Sequence, residues 1–400
     1  MAFDGHAPIR QGGRQLYPLI ASVPDKVAAT VAVGQHLPSW PPPRDMETSV
    51  ASSRTRRRQL CLGTCAARVS TQGTNMRSLI CAVAAAAIFG GVGSAMAQDW
   101  PTRPVTMIVP FAAGGAFDVL GRIVAPRISE ILGQQIVIEN VTGAGGTTGA
   151  VRVAKASADG YQFLLGDSAL AHSQTLYKNP LYNADSDFAP VALIAEQPPV
   201  LITRDDLPVN DLPGFIAYAK VNQTKMQFGS AGTGAPTHLA CVLFNVAIGV
   251  SITHIPYRGG APAMQDVIGR RIDYQCPIAG TAVSQIDSKQ VKAIAILTKN
   301  RSPSLPALRT AHEQGLTDFD ASAWNAVFLP KGTPAPIIRK LHDAIVVAME
   351  TPSVQARLKE VGATVVAPER RSPEYLKEFL ATEIEKWAGT IKAAGLAAQQ

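Results

Sequence analysis

The stretch that most constrains the fold is 105–127, which has the pattern of a strand, a glycine turn and a helix. Residues 105–109 (VTMIV) are apolar and mostly β-branched, as in a buried strand. Gly114 and Gly115 then permit a sharp turn and a close approach to a ligand. A helix that opens after such a turn presents unpaired N–H groups and a positive dipole end, which favour an anion. The alternative is a tight turn with no ligand.

Further strands and helices alternate along the chain. Strand patterns occur at 135–141, 161–166, 191–195, 200–203, 226–228, 252–257, 272–276 and 291–297. Helical patterns occur at 119–131, 147–155, 212–221, 236–249, 261–269, 334–349, 352–361 and 373–392. Pro126 predicts a kink or an early end of the first helix. The alternation predicts an α/β fold with parallel sheets, whose ligands lie beyond the carboxyl ends of the strands.

The net charge of +7 is concentrated near the N-terminus. Residues 1–97 contain ten Lys/Arg and four Asp/Glu, which leaves 27 basic and 26 acidic residues, a net charge of +1, for 98–400. A nearly neutral body lacks the electrostatic footprint of a nucleic-acid-binding protein, so we expect no nucleic-acid partner. The length of 400 residues favours two domains.

Residues 76–97 have the pattern of a secretory signal peptide. A short positive region at Arg77 precedes the apolar run 79–92, and Ala95-Met96-Ala97 fits a cleavage site before Gln98. We therefore expect a periplasmic protein. Residues 1–75 lie upstream, show no periodicity, and are interpreted as a disordered extension that is not translated. A twin-arginine leader at 57–58 is the rival, although that pair is far from the apolar run.

Several active-site motifs are incomplete. The 229–234 loop has the glycine spacing of a phosphate-binding loop, but Ala235-Pro236 replaces the required Lys and Ser/Thr. Gly166-Asp167-Ser168 is similar to the nucleophile block of GDS-type esterases, yet no histidine has an Asp three residues earlier. A secreted serine hydrolase using Ser168 is the alternative function. The scattered histidines predict no metal site, and no cofactor is expected.

Two cysteines, Cys241 and Cys276, remain after the predicted cleavage. An even number in an oxidising compartment favours a disulfide, with two separate buried thiols as the alternative.

Several blocks in this order resemble the Bug family, the periplasmic solute-binding proteins of tripartite tricarboxylate transporters. They are Val109-Pro110-Phe111 with 114–118, Asn140 with 143–149, 229–234 with His238-Leu239, the sequence HIPYRG at 254–259, and 329–334. The resemblance covers essentially all of 98–400. It implies a type II periplasmic-binding-protein fold, with two α/β domains around a cleft joined by two crossing strands. The implied domains are 98–199 with 321–400, and 200–320.

The resemblance also implies a function. The implied ligand is a small carboxylate, held in the cleft by backbone N–H groups, hydroxyls and ordered water rather than by a salt bridge. The chain would be a monomer and not an enzyme, and would deliver its ligand to the transporter's membrane subunits. The expected ligand-binding residues are Phe111, Gly114, Gly115, Ala116, Phe117, Asp118, Ser168, Ser230, Ala231, Gly232, Thr233, Thr237, Ala279 and Gly280.

Two positions depart from the family pattern. Phe117 stands where many relatives carry a small or hydroxyl residue, which predicts a pocket for a bulkier or more apolar acid. The 276–281 loop lacks the usual Asn or Ser. His238 either lines the cleft or is satisfied by its neighbours on a helix face.

Overall fold

The computed structural model describes residues 100–317 and 319–397. The predicted signal peptide at 76–97 and the extension at 1–75 lie outside this part of the chain. Two β-sheets organise the described residues, one of six strands and one of five. We call the six-stranded sheet with its helices lobe 1, and the five-stranded sheet with its helices lobe 2.

Lobe 1 is built around a mixed sheet with the strand order β11-β4-β10-β3-β1-β2. Its strands are β1 (Val105–Val109), β2 (Ile136–Asn140), β3 (Gln162–Asp167), β4 (Phe188–Gln197), β10 (Ala323–Pro330) and β11 (Thr364–Val365). β1 pairs in parallel with β2 and β3, whereas β10 runs antiparallel to both β3 and β4. The strand β10 therefore joins the two halves of the sheet.

Helices cover both faces of the lobe 1 sheet. They are α1 (Ala116–Leu132), α2 (Thr147–Ala154), α3 (Ala169–Leu176), α8 (Ala335–Glu350), α9 (Pro352–Glu360) and α10 (Pro373–Ala393). Met107 faces the core formed with α1, α8 and α9. Ile108 faces the opposite core, formed with α2, α3 and α10. Both side chains are completely buried, so the alternation along β1 supplies both cores.

Lobe 2 has the strand order β7-β6-β8-β5-β9. Its elements are β5 (Val200–Arg204), α4 (Leu212–Asn222), β6 (Gln227–Ser230), α5 (Pro236–Ile248), β7 (Thr253–Pro256), α6 (Gly260–Ile268), β8 (Tyr274–Gln275), α7 (Ala279–Asp287) and β9 (Val291–Ile296). Helices α4 and α5 cover one face, around Phe215 and Phe244. Helices α6 and α7 cover the other, around Met264.

The chain crosses between the lobes twice, from β4 into β5 and from β9 into β10. The first crossing passes through Pro198-Pro199, where Pro interrupts strand pairing. This is the predicted type II periplasmic-binding-protein fold, two α/β lobes joined by two crossing strands. The residue boundaries given above for the two domains remain a prediction.

Some local expectations were wrong. The sheets are mixed rather than parallel, because β10 and β5 run against their neighbours. An early end of the first helix at Pro126 is wrong, because the helix continues to Leu132 and is closed by Gly133 in the left-handed conformation. The alternative, a kink at Pro126, stays a prediction. The sequence patterns did not predict four of the elements, the helices α3 and α7 and the strands β10 and β11.

Candidate functional site

The loop between β1 and α1 is organised by Asp118, whose side chain is 2% exposed. Its Oδ2 accepts hydrogen bonds from Gly114 N at 2.9 Å and Arg122 Nε at 2.8 Å, and its Oδ1 accepts one from Asn140 Nδ2 at 2.9 Å. Burial raises the pKa of this carboxyl, but the hydrogen bonds from Arg122, Gly114 and Asn140 outweigh burial and leave the pKa below its usual value. Asp118 is therefore an ionised residue that fixes the loop.

Across the cleft, Ala116 N donates to Thr281 Oγ1 of lobe 2 at 2.9 Å. A β-carbon at Gly280 would lie 3.2 Å from Ala116 Cβ, and one at Gly260 would lie 3.4 Å from Thr281 Oγ1. The first turns of α1, α6 and α7 therefore meet at one place, which we call the helix junction (Ala116, Gly260, Gly280 and Thr281). Three positive helix ends that converge favour a negative charge nearby.

The loop after β6 in lobe 2 is held by neutral groups. Ala231 N donates to Thr237 Oγ1 at 2.8 Å, and Gly232 N donates to Ser230 Oγ at 3.1 Å. Gly234 N donates to His238 Nδ1 at 3.3 Å. Each of these N–H groups already has a partner, so this loop is fixed by side chains of its own lobe.

Two histidines pack behind the 230–234 loop. His254 Nε2 lies 2.7 Å from Ser230 Oγ, and the rings of His254 and His238 are 4.3 Å apart. Burial lowers the pKa of His238 to about 3, with a smaller contribution from His254. Burial also lowers the pKa of His254 to about 4. Both are neutral at pH 7, and the 8% exposure of His238 agrees with a histidine satisfied by its neighbours.

A cavity of about 810 Å³ opens where the two lobes meet. It is lined by Gly143, Ala144, Gly145, Tyr177, Gly232, Thr233, Pro256, Tyr257, Arg258 and Pro262. Gly145 has a positive φ of 61°, and a β-carbon there would overlap the carbonyl oxygen of Thr233. The lobes are therefore in contact at this edge.

A group of buried polar side chains lies between the two sheets. Gln197 and Asn325 of lobe 1 are joined by a 2.7 Å hydrogen bond from Gln197 Nε2 to Asn325 Oδ1. Gln275 of lobe 2 donates from Nε2 to Gly260 O at 3.4 Å. Ser168 Oγ, Gln197 Oε1 and Gln275 Oε1 have no hydrogen-bond partner among the described residues. A bound ligand or a water molecule would satisfy such buried atoms.

Asp167 precedes Ser168 at the end of β3. Its carboxyl is 2% exposed and accepts one hydrogen bond, from Ala169 N at 2.8 Å. Burial raises the pKa of Asp167 to about 7, against which the Ala169 hydrogen bond acts only weakly. Ser168 Oγ has no histidine within hydrogen-bond distance in the described chain, so the activated serine that a hydrolase needs is not formed.

The predicted site residues fall into three groups. Phe111 and Phe117 pack on each other, with ring centroids 5.1 Å apart, and Gly114, Gly115, Ala116 and Asp118 complete that loop. Ser230, Ala231, Gly232, Thr233 and Thr237 form the lobe 2 loop and the start of α5. Ser168, Ala279 and Gly280 lie at the starts of α3 and α7.

The two loops have different direct partners across the cleft. The 114–118 loop contacts Gly260 and Thr281, while Thr233 contacts Gly145. Sequence reasoning missed Gln197 and Gln275, because a glutamine within a strand carries no recognisable motif. Arg258, which lines the cavity, was not among the expected ligand-binding residues either. The sequence HIPYRG at 254–259 contains this arginine.

Behind the lobe 2 loop, Cys241 on α5 and Cys276 after β8 form a disulfide, with an S–S distance of 2.07 Å. Both residues are completely buried. The bond ties the helix that follows the 230–234 loop to the strand that leads into α7.

No group of three or more His, Cys, Asp or Glu in the described ranges could hold a metal ion. Within 100–317 and 319–397, none of the helices has the length and apolarity needed to cross a membrane.

Two α/β lobes on crossing strands, with helix N-termini meeting in the cleft between them, define the class of periplasmic solute-binding proteins. Comparison with known proteins agrees with this class. The chain matches the tripartite tricarboxylate transporter family receptor (TctC) over residues 120–396. On that match, the chain belongs to the TctC family.

Three solved structures illustrate the likeness. The periplasmic binding protein BugD is 38% identical, with a TM-score of 0.73 over 74% of this chain and 99% of BugD. MatC from Rhodopseudomonas palustris with bound malate is 37% identical, with a TM-score of 0.71 over 73% of this chain and all of MatC. Rpa4515 of R. palustris with adipate is 33% identical, with a TM-score of 0.71 over 75% of this chain and 99% of Rpa4515. The resemblance to the Bug family is thus confirmed.

Proposed function

We propose that this protein captures a small carboxylate between its lobes in the periplasm and delivers it to the membrane subunits of a tripartite tricarboxylate transporter. The observation that carries the proposal is the helix junction, where α1 of lobe 1 meets α6 and α7 of lobe 2. The first turn of each helix leaves N–H groups without an intrahelical partner, and three dipoles add there. Malate in MatC and adipate in Rpa4515 are both carboxylates.

The donors for the carboxylate differ in part from the first expectation. The N–H groups of Gly114, Ala116, Ala231 and Gly232 have partners within the protein. We assign the ligand instead to the hydroxyl of Ser168 and to the helical N–H groups of Phe117 and Asp118. Charge-assisted hydrogen bonds of about 1.5–3 kcal/mol each could together supply much of a micromolar affinity.

The remaining predicted residues have supporting roles in this proposal. Asp118 and Thr237 fix the two loops, and Phe111 with Phe117 closes the apolar side of the cleft. The exposed guanidinium of Arg258 adds a positive charge at the cavity mouth, which raises the local concentration of an anionic ligand. The bound chain would act as a monomer.

Closure of the lobes is the step that retains the ligand, with hinges near 198–201 and 319–324. The contacts made only when the lobes meet, such as Ala116 N to Thr281 Oγ1, would favour the closed state. The closed surface would be the form that the membrane subunits recognise.

The test begins with a thermal-shift screen of protein purified from the periplasm against a carboxylate library, because a ligand that binds only the folded state raises its Tm. Calorimetric titration then compares Gly145→Ala with Gly133→Ala. Both glycines have a positive φ, 61° and 70°, but a β-carbon meets lobe 2 only at Gly145. Gly145→Ala should weaken binding at least tenfold, and Gly133→Ala should not. Equal affinity of the two folded variants would contradict closure at this edge.

A further inference from the structure

We propose that the ligand carries a hydrogen-bond donor, a hydroxyl or an ammonium group, beside its carboxylate, and that Gln197 and Gln275 determine this specificity. The inference rests on the proposed function and concerns the same cleft. It identifies the ligand class as hydroxy- or amino-carboxylates rather than plain dicarboxylates.

Gln197 comes from lobe 1 and points its amide oxygen at lobe 2. Its side chain is 1% exposed, and Nε2 donates to Asn325 Oδ1, which leaves Oε1 without a partner. A β-carbon at Gly280 would lie 3.3 Å from this Oε1. Asn325 Nδ2 in turn donates to Gly166 O at 3.5 Å, and since a carbonyl can only accept, this contact sets the orientation of both amides.

Gln275 comes from lobe 2 and is completely buried. Its Nε2 donates to Gly260 O, which again can only accept, so the orientation of the amide is set and Oε1 is left free. Gly260 also lies beside Thr281. Two unpartnered acceptors, one from each lobe, therefore adjoin the helix junction.

A buried acceptor without a donor costs about 1–3 kcal/mol, which a bound donor would relieve. An ionised carboxylate offers only acceptors, so it cannot serve the two amide oxygens. An ammonium group on the carbon next to the carboxylate can donate to both oxygens, and a hydroxyl, which has a single O–H, can donate to one of them. The third unpartnered atom, Ser168 Oγ, belongs to a hydroxyl that can donate to the carboxylate itself. The two amide oxygens as acceptors and the Ser168 hydroxyl as donor together match a carboxylate with an adjacent donor group.

The experiment is calorimetric titration with matched four-carbon acids. Malate and aspartate each add one donor group to succinate, and the proposal expects at least one of them to bind tenfold or more tightly than succinate. Gln197→Met and Gln275→Met keep the side-chain length and remove the acceptor. Each should reduce the preference to less than threefold, mainly by weakening the acid that carries the donor.

Gln162→Met is the matched control. Gln162 Oε1 is also a buried acceptor without a partner, but this residue begins β3, at the end of the strand away from the cleft. The control should keep the preference intact. Binding of succinate as tightly as malate and aspartate would overturn this proposal, because water would then serve the two amides, and would leave the proposed function standing. Failure of every carboxylate to bind would overturn both.

Discussion

The two glycine loops that face the cleft are fixed by different chemistry. In lobe 1 the 114–118 loop is held by an ionised carboxylate, Asp118, which accepts three hydrogen bonds. In lobe 2 the 230–234 loop is held by hydroxyls and neutral histidines. A loop held by a carboxylate keeps its hydrogen bonds until that carboxylate is protonated. A loop held by neutral histidines keeps its hydrogen bonds only while the histidines stay unprotonated. Similar backbone turns therefore respond differently to mutation and pH.

Loss of the disulfide should have the largest effect on stability. The bond closes a loop with a sequence separation of 35 residues behind the 230–234 loop. Chain entropy predicts that Cys241→Ala with Cys276→Ala lowers the free energy of unfolding by about 4 kcal/mol. Urea unfolding with and without reductant measures this. The double variant should be insensitive to reductant, and a loss below about 1 kcal/mol would show that the loop does not depend on the covalent link.

Removal of the Asp118 carboxylate should come next. Asp118→Ala leaves Gly114 N without an acceptor and Asn140 Nδ2 with Phe111 O alone, and should cost about 3 kcal/mol of unfolding free energy. The control is Asp159→Ala, because the ion pair of Asp159 with Arg103 is exposed and should cost less than about 1 kcal/mol. If the two variants unfold at the same urea concentration, the carboxylate is not what fixes the lobe 1 loop.

Acid should weaken the lobe 2 loop first. The folded pKa values of His238 and His254, about 3 and about 4, lie below the ordinary value of 6.5. The unfolded chain therefore binds more protons, and stability falls as pH drops from about 6.5 toward 4. Each histidine should contribute roughly 2–3 kcal/mol of this loss at pH 4.5. The pKa of Asp118 is lowered, so its contribution persists until the pH falls below about 4.

The variant His254→Gln isolates the contribution of His254 to this pH dependence, because glutamine keeps a hydrogen-bonding group near Ser230 and does not titrate. It should reduce the loss of stability between pH 7 and pH 4.5, measured by urea unfolding. Two other groups contribute to both proteins and cancel in the comparison. They are His172, whose pKa burial lowers to about 3, and Asp167, whose raised pKa acts in the opposite direction. An unchanged pH dependence in the variant would exclude His254 as the source.

The smallest effect compares two threonines that accept from backbone N–H groups. Thr237 bonds Ala231 N within lobe 2, whereas Thr281 bonds Ala116 N across the cleft. Thr237→Val should cost about 1–2 kcal/mol, because the N–H group stays buried. Thr281→Val should cost less than about 0.5 kcal/mol of stability, since opening of the lobes hydrates Ala116 N, but should weaken ligand binding several-fold. The opposite ranking in stability would mean that the lobes do not open.

The sequence predicted the parts of this molecule that local chemistry decides. The 105–127 unit is found as β1, a turn and α1, because alternating apolar residues and Gly114, with φ of 79°, specify that geometry locally. The long strand β10 was not detected, since both faces of its sequence AWNAVFLP are buried and no alternation remains. The N–H partners of the loops were also missed. They come from Thr281 and Thr237, and the first of these depends on tertiary contact across the cleft.

The position of β10 also decides the order in which the molecule can be built during synthesis. β10 lies between β4 and β3, so the half of the sheet holding β1, β2 and β3 cannot join β4 until residues 323–330 have been made. Lobe 2, by contrast, is encoded by one uninterrupted segment from β5 to β9 and can assemble as soon as that segment is available. The strand β1, which comes first among the described strands, thus belongs to the sheet that is completed last.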